Sequence, residues 1–224
     1  MSREGAPHRN KPMNPAFFVI LCAGAVLGLL NAERSEDQPQ KRFFKPLASL
    51  AFILTALAAG ALNTTFGALI LAGLVLCAIG DVLLLSRAAP GFLAGMGAFA
   101  AGHGAYILAF AHGGAVIGPA AISSAIACAS LSAIALKPLW AGLGSFRAPV
   151  IGYCLVITAM VAAGAAYWAA SPGDASLQLV GAAAAFAISD ISVARDRFGP
   201  GDFLNRLWGL PLYYAAQCLF ALGV

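Results

Sequence analysis

Two aspartates stand in matched apolar surroundings: Asp81 in AIGDVLL, residues 78–84, and Asp190 in AISDISV, residues 187–193. A carboxylate at the centre of a membrane span costs about 3 kcal/mol on insertion scales, so a residue of this kind defaults to a functional role. Two carboxyl groups that share one site favour holding a single proton between them. One then serves as general acid and the other as general base. A second possibility stays open, in which each aspartate pairs with a Lys or Arg and pins two helices together. After each aspartate come a basic residue and a Pro-Gly turn, SRAAPGFL at 86–93 and ARDRFGPGDFL at 194–204.

Further polar groups are candidates to line the same site. AGHGAYILAF, residues 101–110, puts His103 and Tyr106 three apart, on one helix face. LPLYYAAQCL, residues 210–219, puts Tyr213 and Gln217 four apart, with Tyr214 beside them. Polar groups in a span need partners, so each of these serves either as an interhelical hydrogen-bonding group or as a site wall. Ser189 adjoins Asp190, and Ser86 and Ser192 are near, but no GxSxG elbow or neighbouring His makes a serine hydrolase of them. Lys45 and Lys137 each open a KPL triplet and either meet a phosphate or ion-pair with an aspartate. Asp196 and Asp202, among Arg195, Arg197 and Arg206, read as solvated loop residues. The histidines are His8, His103 and His112, without an HxxxH or HExxH pair, so no metal and no cofactor is expected. Cys22, Cys77, Cys128, Cys154 and Cys218 all fall in apolar runs and form no CxxC, which reads as packing.

Long helices must position these groups. The chain of 224 residues is 61% hydrophobic and 10% charged, against roughly 25% charged in a soluble domain. With a mean hydropathy of +0.85 it reads as all-α, polytopic and integral to a membrane, the inner membrane if the host is bacterial. A net charge of +4 without a basic stripe excludes nucleic acid as a partner. Apolar runs and turn signals predict a tail at 1–14 and one membrane domain, 15–224. Its eight spans are placed at about 15–32, 46–62, 66–86, 92–111, 115–136, 148–170, 175–194 and 206–223. The first reads as a span rather than a cleaved signal, since Leu30 and Ala32 make a poor cleavage site. Gly24/Gly28, Gly91/Gly95 and Gly114/Gly118 are small-xxx-small pairs suited to close helix contact. Trp140, Trp168 and Trp208 lie near span ends as interface anchors, and NTT at 63–65 fits a glycosylation sequon.

Of the 13 Lys and Arg residues, three lie in the tail and the rest on the opposite side, which places both termini outside and the basic loops in the cytoplasm. Asp81 and Asp190 each fall about five residues before a cytoplasmic helix end, roughly 7 Å deep at 1.5 Å per residue. The repeated KPL, aspartate and Pro-Gly order predicts two four-helix halves, about 15–111 and 115–223, as parallel repeats. An axis along the membrane normal would bring the two aspartates together, with the site opening toward the cytoplasmic leaflet.

KPL opening a helix, GDVLLL ending the next, GHGAYI in the following one, then SDIS and a terminal YYAAQ resemble the YhhN family of eight-helix membrane proteins, over roughly residues 45–220. That family includes lysoplasmalogenases. The resemblance implies hydrolysis of the vinyl-ether bond of a lysoplasmalogen, a lysophospholipid drawn from the membrane, giving a fatty aldehyde and glycerophosphoethanolamine or glycerophosphocholine. It also marks Lys45, Asp81, His103, Tyr106, Asp190, Tyr213 and Gln217 as shared polar positions. Acid cleavage of a vinyl ether needs one protonated carboxyl and one carboxylate, and no metal. Two other readings remain. A proton-coupled transporter or lipid-handling protein suits repeats with intramembrane carboxylates. An intramembrane aspartyl protease is less favoured, since Ala78 stands where a GxGD motif needs its first Gly.

Overall fold

The computed structural model describes residues 13–86 and 88–224. Residues 1–12 of the tail, with Arg3, Arg9 and Lys11, and Arg87 lie outside the described residues. Eight α-helices follow in order: α1 (Pro15–Arg34), α2 (Gln38–Ala59), α3 (Thr65–Leu83), α4 (Ala89–His112), α5 (Pro119–Leu136), α6 (Arg147–Ala170), α7 (Asp174–Phe198) and α8 (Phe203–Leu222). No strand occurs among the described residues. Seven of the helices are long and apolar enough to cross a membrane, and the protein is integral and multi-pass. The eighth, α8, turns Tyr213, Tyr214 and Gln217 inward, where all three are buried. Large apolar side chains face outward instead: Ile20, Leu108 and Leu155 are each at least 60% exposed, as lipid-facing residues are.

Local chemistry explains most helix starts. Asn14, Asp37, Thr64 and Asp202 each accept a backbone N–H of the first turn that follows, so α1, α2, α3 and α8 begin at side-chain caps. Thr64 and Asp202 are therefore helix caps, within the sequon and the basic loop respectively. The Asp37 cap also moves the start of α2 eight residues ahead of the expected 46, and Pro46 becomes an interior residue. An interior Pro removes one backbone donor, and Pro211 does the same in α8. Both interruptions lie beside site residues, Lys45 and Tyr213. α7 runs to Phe198 rather than 194, its last turn carrying Arg195 and Arg197 in favourable alignment with the helix dipole. Asp190 thus lies two turns from the end of its helix and Asp81 only two residues from the end of α3, so equal distance from a helix end does not describe the pair.

Lipid supplies no hydrophobic drive for helix association, so close packing at small residues supplies it. α3 crosses α4 closely. A side chain at Gly73 would strike the Tyr106 ring, one at Gly80 the Phe99 ring, and one at Gly102 the Cys77 sulfur at 2.8 Å. The expected glycine pairs are only partly used: Gly28 lies under Phe44 and Gly95 under Leu84, but Gly24 faces open space. Gly114 and Gly118 lie in the turn before α5, where Gly114 has φ +95° and Gly118 caps the helix. Gly73→Ala is expected to destabilise the protein by about 1–3 kcal/mol through overpacking, seen as a lower melting temperature in detergent.

Helix pairing has a recurrent order. α1 packs on α2 and α5 on α6; α3 packs on α4 and α7 on α8; α2 meets α8 as α6 meets α4. One seam breaks the correspondence: α1 packs on α8, whereas α5 packs mainly on α6 and forms no comparable seam with α4.

Candidate active site

A cavity of about 460 Å³ opens between the helices at the end that carries the basic loops, and both Asp81 and Asp190 line it. Phe99 and Tyr213 line its inner wall, with Phe186 and His103 packed behind them. Phe99, Phe186, Tyr213 and His103 meet edge to face, with Phe186–Tyr213 centroids 5.2 Å apart and His103–Phe186 centroids 4.5 Å apart. Apolar side chains from α4, α6 and α7 complete the deep part, and α5 contributes Ser132, Ala135 and Leu136 to one flank.

Asp81 is 2% exposed and stands among donors. Ser49 of α2 donates to its Oδ2 at 2.7 Å, and Tyr213 of α8 donates to the same oxygen at 2.8 Å. The Lys45 ammonium lies 3.6 Å from Oδ1. Tyr213 accepts from Gln217 Nε2 at 3.1 Å, and Gln217 Oε1 accepts from Tyr106 at 2.9 Å. Tyr106 in turn stacks on Phe220 with centroids 4.1 Å apart. A directional chain, Tyr106 to Gln217 to Tyr213 to Asp81, therefore ends on the carboxylate. All its donors point one way, which suits an ionised acceptor.

Asp190 is set differently. Its side chain is 22% exposed, and Tyr153 of α6 donates to Oδ2 at 2.7 Å. His103 Nε2 lies 3.1 Å from the Tyr153 oxygen and 3.9 Å from Asp190 Oδ2. With the Tyr153 hydrogen on Asp190, His103 donates from Nε2, and its buried Nδ1 has no hydrogen-bond partner among the described residues. Among the described residues neither Lys nor Arg lies within ion-pair distance of Asp190, whereas Asp81 has Lys45.

The candidates from sequence thus divide. Asp81, Asp190, Lys45, Ser189 and Tyr213 line the cavity. His103, Tyr106 and Gln217 stand behind it, fully buried, and reach it through one or two hydrogen bonds. His103 and Tyr106, expected on one face, serve separate aspartates. Tyr214 lies 3.4 Å from the Lys45 carbonyl, and Ser189 donates to the Phe186 carbonyl of its own helix. Lys137 is exposed, in a short turn between α5 and α6, and does not line the cavity. The two KPL triplets therefore occupy different structures, an interior helix turn and a loop. Asp196, expected to be solvated, pairs with Arg206 at 3.0 Å. Ser49 and Tyr153 were not among the candidates. A lone polar residue in an apolar run was the available signal for each, the same rule that picked out Tyr213.

Tyr153 lines the cavity and its hydroxyl orients the Asp190 carboxyl. A hydrogen bond to a neutral carboxyl contributes about 0.5–1.5 kcal/mol, so Tyr153→Phe is expected to lower kcat roughly 2- to 12-fold. KM should stay within about twofold if the hydroxyl serves only to orient Asp190. A change confined to KM would show that Tyr153 binds substrate instead.

The YhhN family model matches residues 40–224. Lysoplasmalogenase TMEM86A of Bos taurus is 31% identical over 220 residues, covering 92% of this chain and 86% of that protein. No solved structure matches the chain significantly.

Proposed function

The chain belongs to the YhhN family, and from that premise we propose that it is a membrane hydrolase of the lysoplasmalogenase kind, cleaving the vinyl-ether bond of a single-chain ether phospholipid. The observation that carries this reading is the pair of aspartates on one cavity, each with a different set of donors. Ordinary ester hydrolysis asks for a nucleophile or an activated water at a carbonyl. Vinyl-ether hydrolysis asks first for a proton on carbon, then for water on the adjacent carbon. An acid and a carboxylate facing one hollow suit that sequence.

Asp190, without a Lys or Arg partner among the described residues, is the proton donor. Its proton adds to the distal vinyl carbon and leaves an oxocarbenium ion at the carbon bound to oxygen. Asp81, ionised beside Lys45, faces that positive charge and stabilises it. Asp81 then accepts a proton from water as the water oxygen bonds to the cationic carbon. The hemiacetal collapses as its carbon–oxygen bond to glycerol breaks. Asp81 returns its proton to the glycerol oxygen, and the hemiacetal hydroxyl proton returns to Asp190. One water is consumed, both side chains are restored, and no metal takes part.

The α5 flank of the cavity, with Ala135 and Leu136, is the side on which the hydrocarbon chain lies in this reading. The pairing order of the helices supports two parallel four-helix halves with the cavity near their axis. The basic end of the bundle is cytoplasmic by the positive-inside rule, so substrate is drawn from the cytoplasmic leaflet.

The test is mass spectrometry of products from the purified protein, given a lysoplasmalogen and its ester-linked counterpart, with and without chelator. Free aldehyde from the first alone, unchanged by chelator, is expected. Fatty acid from the ester and no aldehyde would replace this reaction with another.

A further inference from the structure

The charged mouth of the cavity plays no part in the chemistry above. Glu33 of α1, Lys41 of α2, Asp196 of α7 and Arg206 of α8 all line it. They form a ladder of alternating sign. Lys41 Nζ lies 2.8 Å from Glu33 Oε2, Arg206 Nη1 lies 3.0 Å from the same oxygen, and Arg206 Nη2 lies 3.0 Å from Asp196 Oδ1. Lys41 is 4% exposed, which is unusual for a lysine that merely decorates a helix end. Arg206 holds two pairs and Lys41 one, sharing Glu33 Oε2 as acceptor, while Glu33 Oε1 takes part in none of these bonds.

We infer that this ladder is a headgroup subsite that reads a zwitterion, with the phosphodiester meeting Lys41 and Arg206 and the amine end meeting Glu33 and Asp196; the inference rests on the proposed lysolipid substrate. The four charges of the ladder sum to zero, so the ladder itself carries no net charge, with Arg197 also lining the cavity. The ladder offers both signs a few ångströms apart, which matches a dipolar group. The register agrees. Arg206 and Tyr213 lie seven residues apart on α8 and Asp190 and Asp196 six apart on α7, so the mouth stands roughly 9–10 Å above the aspartates at 1.5 Å per residue. From a vinyl-ether oxygen to the phosphorus of a glycerophospholipid is about five bonds, or roughly 6 Å, and the amine lies some four bonds further, at about 11 Å. With the vinyl group at the aspartates, the phosphate and amine fall on either side of the ladder's level.

Binding of non-hydrolysable lipids tests this without relying on turnover. Three alkyl-ether glycerols with one identical saturated chain are titrated against the purified protein, carrying phosphoethanolamine, a phosphate monoester or a free hydroxyl, and thermal stabilisation is read. The phosphoethanolamine lipid is expected to bind at least about 10-fold tighter than the other two. That margin should shrink in Glu33→Gln and in Asp196→Asn; the second alters the more exposed carboxylate and keeps the test open if the first fails to fold. Equal affinity for all three lipids, or a phosphate monoester bound as tightly as phosphoethanolamine, would overturn the subsite and leave the single-chain lipid reading intact. Binding of none of them would overturn that reading as well.

Discussion

Asp190→Asn should abolish aldehyde release, with a loss of about 10²–10⁴-fold, while the protein keeps its fold and its melting temperature. The carboxamide keeps the size of the side chain and can still accept the Tyr153 hydrogen. It has no proton acidic enough to place on carbon. Because the side chain is 22% exposed and has no Lys or Arg partner among the described residues, its neutralisation leaves no buried charge unpaired. Lipid binding should persist, since nothing in the headgroup ladder or the apolar flank changes. Retained turnover in this variant would remove Asp190 as the acid. Loss of activity together with loss of fold would show a structural role instead, and melting curves separate the two.

Asp81→Asn should lose activity to a similar extent, but at a cost in stability that Asp190→Asn does not carry. Ser49 and Tyr213 can still donate to the remaining carbonyl oxygen. Lys45, whose side chain is 14% exposed, loses its carboxylate. Removing one member of a fully buried pair costs about 3–5 kcal/mol, and the cost here should fall below that range because the cavity lets Lys45 be hydrated. Adding Lys45→Met to Asp81→Asn should recover the melting temperature and leave activity absent. Recovery of neither would mean that the 3.6 Å contact contributes little to stability. Recovery of activity would mean that Asp81 serves only to neutralise Lys45. Together the two aspartate variants separate a catalytic pair from two independent helix pins, because only pins would cost stability on both sides and leave turnover intact.

Much of this protein is legible along the chain. Runs of about 20 apolar residues broken by Pro-Gly and Asn-Thr turns give eight helices in order, because a helix in lipid must satisfy its own backbone and so needs an uninterrupted length. The expense of a carboxylate in an apolar run singles out Asp81 and Asp190 for the same local reason. Helix limits are less legible where a cap competes with hydropathy. Asp37 starts α2 inside a charged stretch, and α7 continues past its apolar residues through Arg195 and Arg197.

The sequence by itself determined the class of protein and its helices from composition and the length of apolar runs, its family from the order of short motifs along the chain, and singled out the two carboxylates by their apolar surroundings. The tertiary structure alone decided what stands beside each carboxylate. Ser49 and Asp81 are 32 residues apart, Tyr153 and Asp190 37, and Tyr213 and Asp81 132. It also parted two identical triplets, bringing Lys45 to Asp81 and leaving Lys137 exposed in a loop. Such choices depend on which face each helix turns to its neighbour, which glycines such as Gly73 and Gly102 set through close crossings. No single segment carries that information, because a polar residue records that it needs a partner without recording where the partner lies.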